Sequence, residues 1–153
     1  MSKPRRNAFT LIEMVVVIML IAILGAIAAP RLMGTRKSAL DSQIIKSLNN
    51  IRNSISMYAA DNGGKLPGAD GDEIAFKSDV TAYLRGNFPK VGVGPLAEDN
   101  TKNDLIRMTN TSGALTGITE PTTGWAYNYT TGEFIIDYDG ATITDPNVNY
   151  DDL

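Results

Sequence analysis

The chain has 153 residues, a length that suits one domain. Hydrophobic residues make up 43% and charged residues 20%, with no cysteine and no histidine, which excludes disulfides, thiolate nucleophiles, cysteine-based zinc centres and histidine-dependent triads or metal clusters. The net charge of −3 hides a split: residues 1–37 carry six basic side chains and one acid, whereas residues 38–153 carry eight basic and sixteen acidic ones. A basic, apolar front and an acidic, polar rear point to a membrane-associated N-terminus carrying a water-facing domain. The acidic rear argues against nucleic acid as a partner, because phosphate binding needs a basic surface.

Residues 9–29, FTLIEMVVVIMLIAILGAIAA, hold a single charge, Glu13. At about 1.5 Å per helical residue such a run reaches roughly 31 Å, enough to cross a hydrocarbon core of about 30 Å. Three readings compete. The first is a secretory signal, with the basic Lys3-Pro4-Arg5-Arg6 ahead of the apolar run and small residues at Ala26-Ile27-Ala28 for a cut after Ala28. The second is a plain anchor, and the third a span that later packs against copies of itself. Glu13 bears on the choice. A carboxylate costs roughly 2.5–3.5 kcal/mol at the membrane centre on insertion scales and less near an edge. A signal or a passive anchor gains nothing from that cost. No Lys or Arg lies between residues 7 and 30 to pair with it, so a partner must come from elsewhere, such as a neighbouring subunit. The simpler account is that Glu13 reaches back to water from one turn inside the interface.

The stretch Arg5-Arg6-Asn7-Ala8-Phe9-Thr10-Leu11-Ile12-Glu13 resembles the cleavage and methylation motif of type IV prepilins and type II secretion pseudopilins. The resemblance implies a leader, residues 1–8, cut on the cytoplasmic side between Ala8 and Phe9 by a prepilin peptidase that also N-methylates Phe9. Ala8 stands where the family usually has glycine. Glu13 then falls fifth after the cut and Pro30 twenty-second, the places of the family's glutamate and its helix-kinking proline. The resemblance also supplies a partner for Glu13. The new α-amino group of Phe9 is largely cationic at neutral pH, and in the family the glutamate of an incoming subunit pairs with that amine on a neighbour. Pairing offsets part of the cost of two charges in hydrocarbon and sets register more than stability. Three basic residues flank the apolar run on each side, so the positive-inside rule is tied. The family topology, leader inside and head outside the cytoplasm of a bacterial inner membrane, decides the orientation.

Pro30 removes a helical hydrogen bond and crowds the preceding turn. With Gly25 nearby, a kink or local melting is expected over residues 26–30, or else the start of a second helix at Pro30. Leu40, Ile44, Leu48, Ile51, Ile55 and Tyr58 form one face of a helix over residues 31–61, opposite a polar face that includes Asp41 and Ser42. That stripe is expected to pack under the head. Asp61-Asn62-Gly63-Gly64 ends the helix, and residues 65–72 read as a loop. The acids at 70, 72 and 73 fail the spacing of an EF-hand, because Ile74 and Thr81 stand where ligands are needed.

Residues 73–85 are predicted as a short helix presenting Phe76 and Val80, residues 87–103 as a loop, and 104–109 as a strand. Trp125, Tyr127 and Tyr129 alternate with smaller residues, Thr130-Thr131-Gly132 turns, and Glu133–Asp137 returns: a hairpin whose aromatics cover the long helix. The 124–133 stretch also resembles type II secretion pseudopilins. The tail carries Asp137, Asp139, Asp145, Asp151 and Asp152. Major pseudopilins often bind calcium in their C-terminal loops, which marks Asp137, Asp139 and Asp145 as calcium candidates against the alternative of a solvated acidic tail.

These readings combine into an α+β fold: a long N-terminal helix, kinked near Pro30, packed on a small antiparallel sheet. Residues 9–29 form the transmembrane and assembly helix, 30–62 the amphipathic helix and 63–153 the head. No acid–base constellation for catalysis appears, so an enzyme is not expected. The resemblance implies a subunit of a homo-oligomeric helical filament, with Phe9 and Glu13 registering neighbours. Its implied partners are the peptidase, an inner-membrane assembly platform and minor pilins or pseudopilins. The absence of cysteine and the hairpin favour the major pseudopilin of a type II secretion system over a type IV pilus pilin, a surface fibre. An exported soluble or membrane-anchored binding domain is the alternative of another class.

Overall fold

The computed structural model describes residues 9–99 and 101–153, without the side chains of residues 29–37. The leader with Ala8 therefore lies outside the described residues. The chain divides into two compact units, Met1–Arg36 and Lys37–Leu153.

Helix α1 spans Leu11–Asp61. It crosses Gly25 and Pro30 without a break, so residues 26–30 are not melted and no second helix starts at Pro30. A proline deletes a single backbone bond, and the helix continues on either side of it. The Pro30 ring lies outside the described residues. At the other end, Gly63 takes φ +66 and the Gly64 N–H donates to the Ala59 carbonyl at 2.7 Å, a closure that the left-handed glycine permits.

Helix α2, Glu73–Thr81, is capped by Asp72, whose side chain accepts from the Ile74 N–H at 2.9 Å. It ends four residues before the predicted stop. The chain turns after Thr81 and brings Leu84 and Phe88 against the core. A single 3-10 turn follows at Gly94–Leu96.

Strands β1 (Ile106–Thr109), β2 (Trp125–Asn128) and β3 (Phe134–Ile136) form one sheet in the order β1-β2-β3. The predicted hairpin is β2–β3, antiparallel, with Trp125 opposite Ile136 and Tyr127 opposite Phe134. The expected all-antiparallel sheet is corrected to a mixed one: β1 pairs with β2 in parallel, Ile106 beside Trp125 and Thr109 beside Asn128. Parallel neighbours need a crossover of a dozen or more residues, and the loop at 110–124 supplies it.

That crossover explains why β2 is buried along its whole length. Trp125, Tyr127, Phe134 and Ile136 share one core with Ile44, Leu48, Ile51 and Ile55 of α1 and with Phe76 and Val80 of α2. Ala126 and Ile135 form a second cluster with Leu115 of the crossover. Both faces of the central strand are thereby kept from water. The aromatic rings meet at close range: Phe76 and Tyr127 have centroids 4.3 Å apart, and Trp125 and Phe134 are 5.2 Å apart. Gly124 is required where the crossover rejoins the sheet, since a Cβ there would stand 2.2 Å from the Asn103 carbonyl oxygen.

The α1 stripe departs from expectation at one end. Leu40 is 41% exposed, while Asp41, assigned to the polar face, is 4% exposed. The buried face is thus 41, 44, 48, 51, 54 and 55, a run that includes a carboxylate.

Candidate assembly segment and the clasps of the head

The apolar half of α1 offers its side chains outward. Leu11–Ala28 is long and apolar enough to cross a membrane, and none of it is buried within the chain. Such a surface needs lipid or other protein around it. Phe9, Ile12, Glu13, Val16 and Val17 line a shallow open groove at the start of this helix. Phe9 is exposed, and Glu13 lies on the same exposed first turn.

The first turn is a reciprocal cap. The Glu13 Oε2 accepts from the Thr10 N–H at 2.9 Å and from the Thr10 hydroxyl at 2.8 Å, while the Glu13 N–H donates back to Thr10 Oγ1 at 3.3 Å. Two of the otherwise unpaired N–H groups at the helix start are satisfied by this exchange. The carboxylate also sits at the positive end of the helix dipole. Sequence reasoning looked for a charged partner and missed this one, although Thr10-Leu11-Ile12-Glu13 carries the Thr-x-x-Glu signature before an apolar run. Gly25 lies far along the helix with open space around it.

In the head, the C-terminal segment is fastened at three places. The Thr144 N–H donates to Asp41 Oδ2 at 2.6 Å, the Thr144 hydroxyl bonds to the same oxygen, and the Tyr150 hydroxyl donates to Asp41 Oδ1 at 2.5 Å. Arg52 of α1 donates to the Phe134 carbonyl at 2.9 Å and to the Leu153 carbonyl at 2.7 Å. Arg107 of β1 grips Asp137, which is fully buried, with Nη2 to Oδ1 at 2.6 Å. Burial acts to raise the Asp41 carboxyl, but the bonds from Thr144, Tyr150 and the nearby backbone outweigh it and hold the group below the usual aspartate value. Burial, aided by the bond to Asp41, pushes the Tyr150 phenol well above its usual value.

The structure does not gather the calcium candidates. Asp137 faces Arg107, Asp139 Oδ2 accepts from the Thr119 hydroxyl at 2.7 Å, and Asp145 Oδ1 accepts from the Asn147 N–H and side-chain amide, each at 3.0 Å. No cluster of three or more acids placed to hold a metal ion occurs among the described residues.

Comparison with known proteins bears on the N-terminal segment most directly. Residues 3–29 match the family described as the prokaryotic N-terminal methylation motif. The chain is 28% identical over 106 residues to the type II secretion system core protein G of Escherichia coli, a match covering 69% of this chain and 73% of that one. The chain carries the prokaryotic N-terminal methylation motif and is similar to a type II secretion core protein.

Two further relatives match over shorter stretches. The type II secretion system core protein G of Aeromonas hydrophila is 36% identical over 62 residues, 40% of this chain and 43% of that one. A type IV wide pilus major component of Thermus thermophilus is 46% identical over 59 residues, 37% of this chain and 45% of that one. The match thus spans less than half the length of these two relatives. No solved structure matches the chain.

Proposed function

We propose that the chain is a structural subunit of a pilin-like filament, and more narrowly the major pseudopilin of a type II secretion system. The observation that carries the filament reading is the combination at one end of the chain. A methylation motif at residues 3–29 overlies a helix whose span Leu11–Ala28 has no cover of its own. In this reading the leader is cut between Ala8 and Phe9, and Phe9 is N-methylated. The subunit waits in the bacterial inner membrane with its head outside the cytoplasm. On assembly the apolar helices leave lipid and pack together, while the heads form the outer surface of a periplasmic filament. Glu13 of an incoming subunit meets the Phe9 amine of one already in place. Gly25 and Pro30 are the positions where the helix gives way if packing demands it. The prepilin peptidase, the inner-membrane platform and minor pseudopilins are the partners this requires.

The narrower reading is supported by the longer similarity to secretion core protein G, which extends over 69% of the chain, and by the absence of cysteine. The Thermus pilus component, with its higher identity over a shorter stretch, favours a type IV pilus pilin as the second reading.

Co-expression of the full chain with a prepilin peptidase and a type II assembly platform tests both. Filaments sheared from the cells and imaged by electron microscopy are expected with the type II platform. Filaments only with a type IV platform favour the pilus. A chain that stays monomeric with either contradicts the filament reading.

A further inference from the structure

The family resemblance admits calcium in the C-terminal loop, and the residues present do not fit it. Calcium takes six to eight oxygen ligands, several of them carboxylate. Asp137 has both oxygens engaged: Oδ1 accepts from Arg107 Nη2 at 2.6 Å and Nε at 3.1 Å, and Oδ2 accepts from Arg107 Nε at 3.2 Å and the Thr123 hydroxyl at 2.5 Å. A guanidinium already supplies the positive charge there, and a divalent cation on the same carboxylate would meet its repulsion. Asp139 and Asp145 are held by separate local donors. Asp151 Oδ2 accepts from the Gly117 N–H at 2.8 Å, and its Oδ1 is buried without a partner. A single unmatched oxygen is far from a coordination shell.

We infer that Arg107 occupies the role of a structural cation in this head, so that the C-terminal segment is fastened without metal. The guanidinium is placed for it. From β1 it reaches Asp137, just past the end of β3, and its Nη2 also donates to the Thr116 carbonyl at 2.8 Å. With Thr123 on the same carboxylate, one ion pair ties the first strand, the middle and end of the crossover, and the start of the tail. Arg suits this role because its planar fork offers five donors at fixed angles. Lysine would offer a compact point charge without that fixed planar fork. The inference concerns the head alone and holds for a pilus or a pseudopilus.

The test uses the full chain in detergent, with thermal unfolding followed by the emission of Trp125, the single tryptophan and fully buried. Midpoints are measured in calcium chloride, in magnesium chloride and in excess EGTA. The native chain is expected to unfold at the same temperature in all three. Arg107→Gln is expected to lower the midpoint by about 10 °C in all three, since removing one partner leaves Asp137 buried and unpaired. Arg107→Lys serves if the glutamine variant does not fold, and its midpoint should also fall. Calorimetric titration of the native chain with calcium chloride is expected to show no saturable binding. A calcium-specific rise in the native midpoint, saturable calcium binding, or an Arg107→Lys chain as stable as the native one would each overturn the inference.

Discussion

Glu13→Ala is expected to stop filament assembly while leaving the head folded. The side chain does two things that its removal ends together. It caps the helix through Thr10, and in the proposed filament it meets the Phe9 amine of a neighbour. Loss of the cap alone loosens one exposed helix end, too little to stop assembly. Loss of a charge-assisted contact weakens each subunit addition by a factor of roughly 10–100. Over many additions that is decisive. Glu13→Gln separates the two effects. Glutamine can keep the reciprocal cap with Thr10 but carries no charge. If Glu13→Gln fails like Glu13→Ala in the shearing assay, the charge drives registration. If it assembles like the native chain, the Phe9 pairing is wrong. The emission of Trp125 should be native in both variants, because residues 9–13 take no part in the core around it.

Asp41→Ala is expected to destabilise the head by about 1–3 kcal/mol. The substitution removes the acceptor of the Thr144 N–H, the Thr144 hydroxyl and the Tyr150 hydroxyl; Thr144 is exposed and can turn to water, but Tyr150 is buried, and an unpaired buried donor costs about 1–3 kcal/mol. At about 2–4 °C per kcal/mol for a chain of this size, the melting midpoint falls by about 2–12 °C. The same contacts set the pH dependence. Asp41 titrates below its unfolded value, so its stabilisation is fully present above about pH 4 and is lost as pH falls through the folded value. Tyr150 titrates above its unfolded value, so its contribution is present below about pH 10 and is lost as pH rises beyond. Tyr127, raised chiefly by burial and then by Asp79, adds to the alkaline limb. Midpoints measured across pH should therefore show a plateau with an acidic and an alkaline fall. Asp41→Ala should flatten the acidic fall, and Tyr150→Phe should weaken the alkaline one without abolishing it. An acidic fall equally steep in Asp41→Ala would place its origin elsewhere.

What the sequence made legible followed physical regularity. The apolar run, the stripe at Ile44, Leu48, Ile51 and Ile55, and the Trp125–Ile136 hairpin each carry a period or a turn that local rules can detect. The direction of β1 was not legible, since alternation is the same in parallel and antiparallel pairs and the crossover at 110–124 has no helix to announce it. Nor was the burial of Asp41. An acid one turn from the end of an apolar stripe looks solvated until Thr144 and Tyr150, a hundred residues on, arrive with their donors. Arg107 and Asp137 are distant in the same way, so a tail rich in aspartate read as a metal site or a solvated end rather than an ion pair. The cap at Thr10 and Glu13 was legible and passed over, because a charge in an apolar run draws attention to distant partners before local ones.

The most direct measurement is intact mass with N-terminal peptide mass spectrometry on the full chain recovered from a bacterial membrane containing a prepilin peptidase. The filament account predicts a mature chain that begins at N-methylated Phe9, with Ala8 and the residues before it gone. A chain beginning at Ala29, or one still beginning at Met1, would contradict it: the first would mean an exported soluble domain, the second an unprocessed anchor.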